Sequence, residues 1–320
     1  MRLKDSATTA RAEAVRSAGG RIPAGIGWAA LGVLGFSLTF PAMHVALEGF
    51  SPLLVGAGRS VLAAAVAALC LKVGGAQLPR RQDLQSLVIV ACSVGFGFGL
   101  LSALALPRVG VAASGVASGL LPIGTAVMAV WRVGERPSRT FWGAGIVGSA
   151  LVIAFLVARG GGFTTADLLL LAALILAALG YAEGGRLSQE MPGWQVICWA
   201  LLFALPVTVP IAAYAAVAWP PHASPTAWSG FLYLSLVSVL FGFFAWNRGL
   251  ALAGVARASQ VQLAQPLLTV GWAALFFGEP IGEGMLAVAL GVIACVGVTQ
   301  WARIRRPRSS STLNLLDDAD

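Results

Sequence analysis

Uninterrupted apolar runs dominate the chain, and their length leaves few folds open to it. A helix crosses a hydrocarbon core of roughly 30 Å with about 17–25 residues. Runs of that kind recur at approximately 27–47, 53–73, 84–106, 111–131, 141–157, 168–184, 194–218, 228–246, 258–277 and 284–301. Of the 320 residues, 58% are hydrophobic and 11% are charged, against roughly 25% charged in an average soluble domain. The connections are short, so no soluble catalytic domain fits between the runs. The sequence therefore predicts an all-α integral membrane protein of ten transmembrane helices.

Net charge is +8, which raises nucleic acid as a partner, but the placement of the 21 basic residues points elsewhere. With a cytoplasmic N-terminus, 18 of them fall on the inside, leaving Arg59, Arg108 and Arg159 outside or embedded. Basic residues flank cytoplasmic span ends in this way, so the expected location is the cell (inner/plasma) membrane, with both termini cytoplasmic. The lipid bilayer and a small-molecule substrate are the expected partners, nucleic acid is not, and a homodimer stays open. Residues 1–22 and 304–320 read as polar cytoplasmic tails. The first span lacks a small-residue cleavage site and reads as a retained helix. Four cysteines sit in four different spans, without the spacing of a disulfide framework or a metal site. The Gly95–Gly99 stretch GFGFG has no strand before it, so it reads as close helix packing. No metal, cofactor or catalytic residue is assigned, and no enzyme activity is expected.

The chain repeats itself. LPRVGVAASGVASGLLPIGTAVMAVWRVGE, from Leu106, aligns without gaps with LALAGVARASQVQLAQPLLTVGWAALFFGE, from Leu250. Pro122 matches Pro266, Thr125 matches Thr269, and Gly134-Glu135 matches Gly278-Glu279, at a constant spacing of 144 residues. Five is odd, so two five-span halves, residues 24–158 and 164–303, must insert with opposite orientation. Inverted repeats of this kind underlie many secondary transporters, with the site at the repeat interface near the bilayer midplane.

With these segments, and with Trp246-Asn247-Arg248, Gln265-Pro266 and Gly278-Glu279-Pro280, the chain resembles the EamA family of the drug/metabolite transporter superfamily. The resemblance runs from about Trp28 to Trp301 and implies export of amino acids or related small metabolites by alternating access. The first span, LGFSLTFPAMHVALEGF, departs from the family's usual Trp-Gly-Ser-like start and lacks the lysine expected near His44.

Polar residues inside apolar spans mark candidate sites, because an unpartnered amide in hydrocarbon costs roughly 2–7 kcal/mol. On a continuous helix at 100° per residue, Ser259, Gln262, Gln265, Pro266 and Thr269 share an arc of about 120°. Ser114, Ser118 and Thr125 share the corresponding arc with Pro122. These residues are expected to line a central cavity, with packing by interhelical hydrogen bonds as the alternative. Pro122 and Pro266 are the expected helix hinges. Tyr181 and Trp246 are further cavity candidates, although aromatics near span ends also serve as interface anchors.

Ionisable residues within spans point to charge recognition or coupling. Arg59 either binds a carboxylate or pairs with Glu48; Glu183 either couples protons or pairs with Arg186; His44 can titrate near neutral pH. Gly134-Glu135 and Gly278-Glu279 read as helix ends, the glycine closing one helix and the glutamate capping the next. The expected function is secondary transport exporting small polar metabolites, above all amino acids. Efflux of amphipathic drugs and a non-transporting role in membrane assembly are the alternatives.

Overall fold

The computed structural model describes residues 23–133, 139–158, 164–253, 258, 261–280 and 282–301. Most of these residues are helical, and no strand occurs among them. They are α1 (Pro23–Leu47), α2 (Leu54–Val73), α3 (Arg81–Val109), α4 (Val111–Ser118), α5 (Leu121–Val133) and α6 (Arg139–Ala158). There follow α7 (Thr165–Leu187), α8 (Gly193–Ala218), α9 (Pro225–Ala253), α10 (Ala264–Phe277) and α11 (Glu283–Trp301). Among the described residues six helices, α1, α2, α3, α7, α8 and α9, are long and apolar enough to cross a membrane. The other four apolar runs carry shorter apolar helical stretches: Val111–Thr125, Trp142–Ala158, Ala264–Phe277 and Glu283–Cys295.

Local chemistry sets the helix boundaries. At the start of α7 the Thr164 hydroxyl accepts from the Asp167 amide while the Asp167 carboxylate accepts from the Thr164 amide, a reciprocal box that satisfies two orphan donors. Ser224 caps α9 and Pro225 follows at the first helical position, where its missing N–H is no loss. Helix α2 buries Ser60, Ala63, Ala64, Ala67 and Leu71, mostly small side chains at helical spacing, and packs on α8. Such a face lets backbones approach closely without a hydrophobic driving force.

Packing runs between the two ends of the chain. Helix α1 lies against α9, α2 against α8, α3 against α7, α4 against α10 and α6 against α11. The helical ladder widens to π geometry at Leu54–Gly58, Ala91–Gly97 and Tyr233–Phe241. Shifted by the repeat spacing of 144, the second of these falls on residues 235–241, inside the third. π turns free backbone carbonyls and cluster at functional sites; here the Ser60 hydroxyl donates to the Gly95 carbonyl from the neighbouring helix.

Both prolines of the repeat sit just after a break. The helix loses its i→i−4 pattern at Gly119–Leu120 before Pro122 and at Gln262–Leu263 before Pro266. A proline ring clashes with the carbonyl four residues earlier, which here belongs to Ser118 and to Gln262. Tighter bonds replace the lost ones: the Leu120 amide donates to the Ala117 carbonyl at 3.0 Å and the Gln265 amide to the Gln262 carbonyl at 3.0 Å.

Trp28, Trp131, Trp142, Trp219 and Trp228 are exposed on the surface of the bundle. The two tail segments, and Gly134-Glu135, lie outside the described residues.

Candidate functional site

A cavity opens between α1, α2 and α3 on one side and α7, α9 and α10 on the other. Phe36, Thr39 and Phe40 come from α1, Arg59 from α2, Val94 and Phe98 from α3, and Leu121 from the start of α5. Leu174, Ala177 and Tyr181 from α7, Ser238, Val239 and Phe243 from α9, and Gln265 from α10 close it. Its volume is about 20 Å³. That is space for roughly one water, so a metabolite enters only when the helices move apart.

Four polar residues of this lining, Thr39, Ser238, Arg59 and Gln265, fall into two kinds. Thr39 and Ser238 satisfy one another, hydroxyl to hydroxyl at 2.8 Å. Arg59 and Gln265 are not satisfied: the guanidinium Nε and Nη2 and the amide Oε1 are buried and without a hydrogen-bond partner. Arg59 is 1% exposed, its charge lies 5.6 Å from the Phe98 ring centre, and it forms no ion pair with Glu48. An ionised group deep in a span costs about 2.5–3.5 kcal/mol to insert, so its retention needs a return elsewhere.

An aromatic wall faces this charge. Phe36 stacks on Tyr181 at 5.9 Å and meets Phe243 at 4.9 Å; Trp246 packs 5.7 Å from Tyr181 and is wholly buried. Tyr181 and Trp246 therefore belong to the interior of the bundle and are not interface anchors. Phe36, Thr39, Phe243 and Ser238 escaped notice in the sequence because Phe, Thr and Ser are ordinary residues of apolar spans. Only their convergence singles them out.

The other candidates distribute as follows. Gln262 is 1% exposed with neither end of its amide partnered, but it borders a separate crevice with Gly119, Pro122, Leu263 and Pro266. The Thr269 hydroxyl donates to the Ser37 carbonyl at 2.8 Å, and Trp272 Nε1 donates to the Ser37 hydroxyl at 3.0 Å, which ties α10 to α1. Ser114 and Ser118 return their hydroxyls to the Gly110 and Gly115 carbonyls of their own turn, while the Thr125 hydroxyl is buried without a partner. Ser259 lies outside the described residues. His44 is half-buried with its ring 4.7 Å from that of Phe277. Glu183 is fully buried and pairs with Arg186 at 3.0 Å, and Arg186 reaches on to Glu190 and to the Ser86 hydroxyl.

Glu279 does something that the repeat did not foretell. Gly278 ends α10 in left-handed geometry, φ +63°, which glycine alone adopts freely. The Glu279 carboxylate then accepts from the amides of Val111 at 3.2 Å and Ala112 at 2.9 Å. It caps the N-terminus of α4 in the other half of the chain, not the helix that follows it.

Comparison with known proteins fits this architecture. A solved crystal structure that is 18% identical superposes with a TM-score of 0.61 over 94% of this chain and 99% of its own, a likeness of fold. The protein named Uncharacterized transporter YdeK, from Bacillus subtilis, is 40% identical over 279 residues, 84% of this chain and 94% of the relative. A Probable terminal-alkyne amino-acid exporter from Streptantibioticus cattleyicolor is 27% identical over 298 residues, 89% of this chain and 96% of the relative. The model of the EamA-like transporter family matches twice, over residues 23–158 and 164–300. The chain is thus a multi-pass membrane protein that belongs to the EamA-like transporter family.

Proposed function

We propose that the chain is a secondary transporter that exports a small polar metabolite, in the first instance an amino acid, by alternating access. The two halves, residues 24–158 and 164–303, form inverted five-helix repeats that rock about the central cavity, with both termini in the cytoplasm. Pro122 and Pro266 supply the hinges. Gln265, Arg59 and Tyr181 contact the substrate, with Trp246 supporting the ring of Tyr181. Gln262, Thr269, Ser114, Ser118 and Thr125 line the path about the paired helix breaks, and Glu183 and His44 are the candidates for coupling.

One observation carries this reading: buried, unpartnered polar atoms of Arg59 and Gln265 reach a single cavity from opposite halves of the chain. Leu121 and Gln265, and likewise Val94 and Ser238, stand 144 residues apart, and all four line that cavity. This supports a site on the axis that relates the halves, where inverted-repeat carriers bind substrate. The name of the S. cattleyicolor relative supports amino acids as the class.

Counterflow of labelled amino acids in proteoliposomes, with wild type beside Gln265→Ala and Gln262→Ala, tests the proposal. Saturable exchange of at least one amino acid, lost in Gln265→Ala, is expected. No exchange of any of the twenty by folded protein overturns the amino-acid assignment. The phenyl rings of Phe36, Phe40, Phe98 and Phe243 in the lining favour one other reading, efflux of amphipathic compounds, and uptake of such a compound in place of amino acids establishes it.

A further inference from the structure

The cavity carries one full charge and nothing of opposite sign. No carboxylate is among its described lining residues, and two of its hydroxyls, those of Thr39 and Ser238, are committed to each other. The two guanidinium nitrogens without partners, Nε and Nη2, form the side-on edge of the Arg fork, which receives both oxygens of a planar carboxylate. The rings of Phe36, Phe243 and Tyr181 line the same cavity, a surface suited to an apolar body.

Space in front of that edge depends on one residue. A Cβ at position 99 would stand 2.3 Å from Arg59 Nη2 and 2.5 Å from Nε, so the guanidinium rests against the bare Cα of Gly99. In this closed arrangement the edge meets a CH₂ group that can accept nothing. Buried charged donors facing carbon are costly, and a ligand that draws the guanidinium off Gly99 relieves that cost.

We propose that this cavity recognises its substrate as a monocarboxylate through Arg59, and that the amino group of an amino acid is dispensable for binding. The inference rests on the cavity being the transport site. Charge matching selects the class: one guanidinium neutralises one monoanion, whereas a phosphate monoester dianion would leave a charge uncompensated in the span. An ammonium finds only neutral groups among the described lining residues, the Gln265 Oε1, hydroxyls such as that of Tyr181 and the ring faces, and none of them neutralises its charge. The substrate class therefore extends beyond amino acids to their deaminated and N-acylated acids, with an apolar or aromatic body against Phe36 and Phe243.

The test is binding to the purified full-length protein, by calorimetry or ligand-induced thermal shift, of three probes that differ by one group. They are phenylalanine, 3-phenylpropanoate without the ammonium, and phenylalaninamide without the carboxylate. Phenylalanine and 3-phenylpropanoate should bind within about tenfold of each other, and the amide at least about tenfold more weakly. Arg59→Gln should erase the difference, and Arg59→Lys, which keeps the charge without the fork, should restore only part of it. The wild-type comparison decides the matter even where a variant does not fold. Equal binding of the amide, loss of binding on removing the ammonium, or failure of both acids to bind overturns the proposal. Amino-acid counterflow that persists while the amide binds as well as the acids refutes this inference and leaves the transport reading standing. If acids bind selectively and no amino acid is exchanged, the amino-acid assignment fails and this inference stands.

Discussion

The Glu279 carboxylate lies 2.9 Å from the Ala112 amide, a bond that joins segments 167 residues apart. Together with the bond to Val111 it satisfies the first donors of α4, whose eight residues are all buried and cannot draw on water. An anion at a helix N-terminus is favoured by both the orphan amides and the helix dipole. Glu279→Ala should lower stability by about 0.5–2 kcal/mol, the usual cost of a lost cap, and Glu279→Gln by less. Thermal unfolding of the detergent-purified variants checks this; unchanged midpoints would show that the cap is idle.

Gly99→Ala tests how finely Arg59 is placed. The new Cβ would fall within 2.3–2.7 Å of three guanidinium atoms, and the free end of a long side chain is what would yield. Folding should be retained, while affinity for a carboxylate substrate should fall by about tenfold or more as the fork is displaced. Titration of the variant with a transported amino acid checks this, and unaltered affinity would mean that Arg59 acts from another position.

Thr39 and Ser238 form a cross-half pair whose removal is separable. Thr39→Val or Ser238→Ala strands a buried hydroxyl or its space, at about 1–3 kcal/mol each. The double variant should cost less than the sum, with a coupling of about 0.5–1.5 kcal/mol. Additive losses in a double-mutant cycle of thermal stability would show that the 2.8 Å contact contributes nothing.

Pro122 and Pro266 break their helices at equivalent points of the repeat. Replacing either with Ala restores an amide donor and removes the ring clash, so the helix gains continuity. Transport should slow while the unfolding temperature holds or rises, since hinge positions absorb the backbone change of a moving carrier. A variant with full exchange rates would remove these prolines from the mechanism.

Much of this was legible in the sequence, for reasons that can be stated. Apolar length announces helices in lipid, and the constant spacing of Pro122/Pro266 and Thr125/Thr269 announces the repeat. The grouping of Gln262 with Gln265 on one stripe assumed an unbroken helix. The chain turns at Gln262–Leu263, so a step of 100° per residue no longer relates the two, and only Gln265 reaches the central cavity. The Glu183–Arg186 ion pair was visible because it is local, three residues apart. Glu279's true partner, the Thr39–Ser238 bond and the isolation of Arg59 from Glu48 were not, since each depends on how segments far apart in the chain come to lie together.

Access to Val239, which is 2% exposed on the cavity wall, tests alternating access most directly. Val239→Cys in a chain stripped of its four native cysteines, reconstituted in vesicles, is treated with a membrane-impermeant maleimide on each face in turn. The account predicts labelling from both faces, with each slowed by a transported amino acid. Labelling from one face alone under every gradient and ligand condition, or from neither, would contradict it.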